Sequence, residues 1–267
     1  VSLDQKWFDT TVPFGLILVA LVVIGVAVAG FLVSFWVHGS SSSGARPPFP
    51  WLGPVNSIRD LRKIIVDRQL RLAIIADVFF YFLASLAILV INVLGIKQLG
   101  LSQAITSMMS MSLMVGVCIG AALASKYVTI ADWSRSLPAA ALAMGGGLLL
   151  AGSTVFLPAS MHVWWLGASL AGTGIAGGFF LIPVTSFLQV RPADSHKGRV
   201  LAAANFCCFA GILCSGFLFS LFEAFLSPAA VMTALGVTAL LFSTAAFFTR
   251  KGAGPIAGWM LRRLISL

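Results

Sequence analysis

Acid is scarce in this chain. Eight Asp and Glu stand against 17 Lys and Arg in 267 residues, and only 9% of positions are charged. With so few carboxylates, no two share a face at the spacing that acid–base hydrolysis needs, and no His-x-Glu occurs. Histidine is rare as well. His38, His162 and His196 lie at or near predicted helix ends and form no cluster. Cys118, Cys207, Cys208 and Cys214 make no C-x-x-C and have no His at a ligand spacing. They read as small apolar packing residues, not as disulfides or metal ligands. No catalytic residue, metal or cofactor is therefore expected, and the region is not read as an enzyme. Period-2 alternation is missing too, which excludes a membrane β-barrel.

Hydrocarbon takes the place of all these. The chain is 59% hydrophobic, with a mean hydropathy of +1.02. Soluble domains sit near ~45–50% apolar and ~25% charged, so the solvent for this surface is lipid. A spanning helix needs ~20 apolar residues, because the hydrocarbon core is ~30 Å thick and each residue rises ~1.5 Å. Seven runs meet that test, at 13–36, 71–94, 104–125, 137–157, 163–188, 200–222 and 229–249. In lipid each must satisfy its own backbone, so the fold class is an all-α membrane protein with seven transmembrane helices.

The net charge of +9 is unevenly placed. With the loops taken in order, Lys6 and Lys97 fall on one side and every other Lys and Arg on the opposite side. The positive-inside bias puts the crowded side in the cytoplasm, the chain start outside and the C-terminus inside. The charge then faces anionic lipid headgroups, and nucleic acid is not expected as a partner. The stretch RPADSHKGRV (191–200) is a cytoplasmic turn between hairpinned helices by this reading.

Residues 1–36 form an external start and one helix. HGSSSSGARPPFPWLGP then makes a Ser, Gly and Pro-rich linker. In the following VNSIRDLRKIIVDRQL, Val55, Ile58, Leu61 and Ile65, with Ile64 beside them, recur at helical spacing among basic residues. That pattern is a basic amphipathic helix on the cytoplasmic face, closing a linker region of 37–70. Residues 71–250 hold the six remaining helices, and 251–267 a basic juxtamembrane segment. No basic n-region or cleavage site stands between Val1 and the first helix, so no signal peptide is visible in the sequence. One helix, a linker and six helices read as the end of one bundle joined to a complete second bundle, hence as a C-terminal half. A rhodopsin-type receptor would need a Lys in the last helix, and residues 229–249 contain none.

The stretch GTGIAG (172–177) is a literal G-x-G-x-x-G, but it lies inside an apolar helix with no preceding strand. It reads as close helix packing, as do Gly145, Gly146 and Gly147. Asp77 is the only acid well inside a predicted span, six residues past Arg71. An acid at mid-bilayer costs ~2.5–3.5 kcal/mol, so it faces a bundle interior or snorkels beside Arg71 or Arg68. Asn92, Thr173, Thr185, Gln189 and Asn205 are the other polar groups at depth. Thr185 and Gln189 share a face, just past Pro183, which can kink or break the helix. Broken helices with polar neighbours line transporter sites. These six residues, Asp77 among them, are the substrate-binding candidates. Glu223 marks a helix end and is expected in solvent.

With the helices placed, the second bundle resembles the C-terminal half of a major facilitator superfamily carrier of twelve helices. More closely it resembles the lysophospholipid transporter branch, some of whose members are fused to a glycerophospholipid acyltransferase. Four stretches carry the resemblance: PVNSIRDLRKIIVDRQLRLAII, GAALASKYV (120–128), FFLIPVTSFLQVRPADSHKGRVLAAANF (179–206) and GWMLRRLISL (258–267). Thr185 departs from the Asn that the branch favours. The resemblance implies alternating access in the bacterial inner membrane, with lysophospholipid as substrate, membrane lipids around it and an N-terminal bundle of the same protein as partner. It implies that the turn at 191–199 meets that bundle, with Arg191 and Arg199 as gating residues. It also implies that 251–267 leads toward an acyltransferase domain. Two other readings stand beside this one: a facilitator carrier for another small solute or drug, and the membrane part of a bifunctional acyltransferase.

Overall fold

A computed structural model describes residues 14–36, 59, 61, 64, 66–130 and 133–250. They fall in two units, Val1–Pro50 and Trp51–Leu267. The first unit contributes α1, Phe14–Ser34, an unbroken apolar helix without a charged residue. Its run Val19–Ser34 is shorter than the six spans described next. The Ser34 hydroxyl donates to the Phe31 carbonyl where the helix ends.

The second unit holds six long helices: α2 (Arg68–Val93), α3 (Gln103–Tyr127), α4 (Trp133–Gly152), α5 (His162–Val190), α6 (Asp194–Phe225) and α7 (Pro228–Arg250). Each includes or extends a segment long and apolar enough to cross a membrane. Among the described residues there is no strand. The local signals for the helix starts lie outside the apolar runs. The Asp67 carboxylate caps α2, accepting from the amides of Gln69 (2.9 Å) and Leu70 (3.4 Å). The Ser102 hydroxyl caps α3, accepting from Ile105 at 3.3 Å. Helix α2 closes in a wider turn, Leu94–Gln98. Gly100, at φ 65°, then makes the left-handed step that turns the chain into α3.

Packing follows side-chain size. Helices α3 and α5 meet most closely, along Gly116 and Gly120 on one and Gly174 and Gly178 on the other. A Cβ on Gly174 would lie 2.1 Å from the Leu113 carbonyl oxygen, and one on Gly178 2.4 Å from the Ala121 nitrogen. The G-x-G-x-x-G stretch is thus a helix contact, as its apolar setting implied. Pro183 does not break α5, which runs continuously through it. Helix α4 packs on α5 and α7, and α2 on α6. Aromatic rings fill the centre: Phe79 stacks on Phe242 at 4.0 Å and Phe80 on Phe180 at 6.1 Å.

Charge sits at the two ends of this bundle. Arg68 and Arg71 begin α2, Lys126 ends α3, Arg135 begins α4, Arg191 follows α5, and Lys197 and Arg199 begin α6. At the opposite end Lys97 pairs with Glu223 at 2.5 Å, so Glu223 has a partner there and is not merely solvated. Between the ends, the surface is rich in exposed apolar side chains. Examples are Met108, Met111, Val115 and Ile119 on α3, and Phe209, Leu213 and Phe217 on α6. In water such stripes would be aggregation sites; in lipid they are ordinary.

The external start (1–13), the Ser/Gly/Pro linker, most of the amphipathic segment and residues 251–267 lie outside the described residues. Of the amphipathic segment, Leu61 and Ile64 are described, and both pack against the core of the bundle.

Candidate functional site

Helices α2 and α6 run in the same direction, and a polar seam joins them. It begins at Asp77, 4% exposed, nine residues into α2 or about 13 Å along its axis. Carboxylate oxygen Oδ2 accepts a hydrogen bond from the Cys208 thiol at 3.2 Å. The other oxygen, Oδ1, is buried and has no hydrogen-bond partner among the described residues. Two turns further on, the hydroxyls of Ser85 and Ser215 lie 2.9 Å apart. The seam ends at the Lys97–Glu223 pair.

An ionisable residue held inside a bundle with half of its hydrogen-bonding capacity unmet is unusual, since burial without partners is costly. Asp77 is therefore the polar group of this bundle that most needs a further partner. Among the described residues, Cys208 is its neighbour in hydrogen-bond reach. As a cysteine in an apolar run it reads as packing, and 131 residues separate it from Asp77. Only the pairing of two distant helices gives its thiol a role.

None of the remaining candidates is hydrogen-bonded to Asp77 among the described residues. Asn92 is exposed and donates to the Ile88 carbonyl at 3.0 Å, on its own helix. Thr173 is buried, donates to Ser169 at 2.8 Å, and occupies the space beside Gly147 at the α4–α5 contact. Thr185 donates back to the carbonyls of Leu181 (3.1 Å) and Ile182 (3.2 Å). Gln189 is exposed at the end of α5. Asn205 is exposed on α6, three residues before Cys208 and so near the same face.

Arg191 forms an ion pair with Asp67 at 3.4 Å, tying the end of α5 to the cap of α2 within the same bundle. Arg199 is exposed in the second turn of α6. Among the described residues no group of three His, Cys, Asp or Glu is placed to hold a metal ion.

An apolar groove of about 510 Å³ opens between α2 and α6 at the basic end, beside this seam. A second, of about 350 Å³, lies on the other side of α2, against α4 and α7.

No family model matches the chain, and no solved structure matches it. Curated relatives do. The chain is 28% identical over 170 residues to the lysophospholipid transporter LplT of Pectobacterium carotovorum subsp. carotovorum strain PC1, covering 61% of this chain and 40% of that protein. It is 28% identical over 142 residues to LplT of Serratia proteamaculans strain 568, covering 52% and 34%. It is 34% identical over 92 residues to LplT of Shigella sonnei strain Ss046, covering 34% and 21%. The matched part thus spans well under half the length of these relatives. The all-helical, multi-pass membrane bundle described above is, over 61% of the chain, similar to part of a lysophospholipid transporter.

Proposed function

We propose that this chain is the C-terminal half of a facilitator-type carrier that moves lysophospholipid across the bacterial inner membrane toward the cytoplasm. The observation that carries the proposal is the similarity to lysophospholipid transporters over 61% of the chain, on a bundle of six helices of spanning length. In this reading α1 is a seventh span, the last helix of an N-terminal bundle. The basic end of the six-helix bundle is cytoplasmic, because Lys and Arg gather there. Transport proceeds by rocking of two six-helix bundles around a cavity near the midplane, in the alternating-access manner of twelve-helix carriers. The segment 251–267 leads toward an acyltransferase domain, which would consume the delivered lysophospholipid.

Asp77 is the residue we assign to a cation or donor of the other bundle, because Oδ1 is buried in this seam with no hydrogen-bond partner among the described residues. Gln189 and Asn205 are the substrate contacts in this reading. Asn92, Thr173 and Thr185 already bond carbonyls of their own helices and contribute less. Arg191 and Arg199 sit at the cytoplasmic gate, where release of Arg191 from Asp67 frees a cation for the other bundle.

The test is uptake of radiolabelled lysophosphatidylethanolamine by spheroplasts of a bacterium deleted for its own lysophospholipid carrier, with the full-length protein expressed. Saturable uptake above the empty vector is expected. Uptake equal to the vector control, at verified membrane expression, rejects the reading.

A further inference from the structure

We infer that the groove between α2 and α6 holds the single acyl chain of a lysophospholipid, with the lipid phosphate at Arg71. This inference rests on the reading just proposed and names the place where the substrate's tail lies.

The groove has a direction. On α2 it is lined by Arg71, Ile74, Ile75, Val78, Phe79 and Phe82. These positions follow the i, i+3, i+4, i+7, i+8, i+11 pattern, so they form one stripe along a single helix face. From Arg71 to Phe82 the stripe covers 11 residues' rise, about 17 Å. The hydrocarbon core is ~30 Å thick, so one leaflet's share is ~15 Å. A chain seated along the stripe therefore reaches from the membrane surface to the midplane, the depth of one acyl tail.

The lining is apolar except at one end. Among the described residues Arg71 is the only charged one in it, and it stands on the exposed, basic end of the bundle. An acyl tail needs the apolar walls, and a lipid phosphate at the same end needs a cation; guanidinium groups bind phosphate through paired hydrogen bonds. The space exists because of α6. Cys207 and Gly211 form its far wall. A Cβ on Gly211 would come within 3.2 Å of Val78, so any larger side chain there intrudes on the stripe. Leu61, from the segment before α2, adds to the wall at the basic end. A volume of about 510 Å³ lies within the ~300–1,000 Å³ of ordinary ligand sites.

The experiment uses the full-length carrier in proteoliposomes and a lysophosphatidylethanolamine with a diazirine in mid-chain. After illumination, adducts are mapped by mass spectrometry in the presence and absence of unlabelled lysophosphatidylethanolamine or diacyl phosphatidylethanolamine. Adducts are expected on 71–82 and 207–211, competed by the lysolipid and not by the diacyl lipid. Gly211→Leu, which fills the groove, and Ile75→Trp, which covers it from an exposed position, should each lower this labelling at least tenfold. Arg71→Gln should lower it severalfold and Arg71→Lys much less, while an uncharged monoacylglycerol probe should be indifferent to both. Competable adducts elsewhere in the carrier would overturn the groove and leave the transport reading standing. Equal competition by diacyl lipid, or none, would make the groove a seat for bulk bilayer lipid and overturn the inference. Absence of any competable adduct on the carrier defeats both the groove and the transport reading.

Discussion

Two glycines two residues apart in α5 should respond to the same substitution with opposite signs. Gly172 has nothing within 4 Å of where its Cβ would lie. Replacing a helix-interior Gly with Ala gains ~0.5–1 kcal/mol, because the unfolded chain loses freedom. Gly172→Ala should therefore stabilise. At Gly174 the same methyl would lie 2.1 Å from the Leu113 carbonyl oxygen and 2.9 Å from the Val117 nitrogen. These are backbone atoms and cannot rotate aside. Helices α3 and α5 must separate by more than an ångström, which loosens the contacts at Gly116, Gly120 and Gly178 as well. Overpacking of this kind costs ~1–3 kcal/mol, which outweighs the propensity gain. Taking ~2–4 °C per kcal/mol for a chain of this size, Gly174→Ala should melt several degrees below the parent and Gly172→Ala a degree or more above it. The assay is thermal unfolding of the purified full chain in detergent, followed by tryptophan fluorescence. A Gly174→Ala protein that melts at or above the parent would refute the close α3–α5 contact, and equal shifts at both sites would refute the reasoning from backbone approach.

Other outcomes follow from the polar seam and the charge pattern. Asp77→Asn should lower lysophospholipid transport at least tenfold at matched expression, about 1.4 kcal/mol if one charge-assisted contact is lost; near-parental uptake would remove Asp77 from the site. Cys208→Ala leaves both Asp77 oxygens without the thiol and should cost ~1–3 kcal/mol of stability, seen as a lower melting temperature. The double variant Cys208→Ala, Asp77→Leu should recover most of that loss, because no buried carboxylate then remains; no recovery would mean the thiol acts only by packing. For orientation, single cysteines at Gln103 and Ala224 in a background lacking the native four should react with an impermeant thiol reagent in intact cells, and a cysteine at Lys126 should not. The reverse pattern would invert the assigned topology.

The helices were legible because lipid thickness imposes a length that apolar runs must meet. The runs 104–125 and 163–188 lie inside α3 and α5. The ends were less legible because they sit in polar sequence. Helix α2 starts at Arg68 on the Asp67 cap, and α6 starts at Asp194, within the charged turn. Hydropathy stops at the hydrocarbon boundary, whereas backbone hydrogen bonding continues past it into water. Gly174 and Gly177 of α5 were readable as contacts because small residues in a spanning helix are suited to close approach; Gly172, in the same stretch, faces open space instead. The α2–α6 seam was only half readable. Asp77 stands out alone as a buried acid, but its partner Cys208 is chemically unremarkable in an apolar run and 131 residues away. Thr173 and Asn92 stand out in the sequence because polarity at depth is costly; both meet that cost locally, by bonding carbonyls of their own helix. The groove left no local signal, since Ile74, Ile75, Val78 and Phe82 also fit a plain packing face.

The central claim is lysophospholipid transport, and flux in a defined membrane tests it most directly. The full-length protein is reconstituted in proteoliposomes, and the movement of a fluorescent lysophosphatidylethanolamine between leaflets is timed by back-extraction with albumin. The account predicts saturable movement, faster than in protein-free vesicles, competed by unlabelled lysophospholipid and not by diacyl phosphatidylethanolamine. Movement no faster than in protein-free vesicles, with the carrier shown to be folded and inserted, would contradict it.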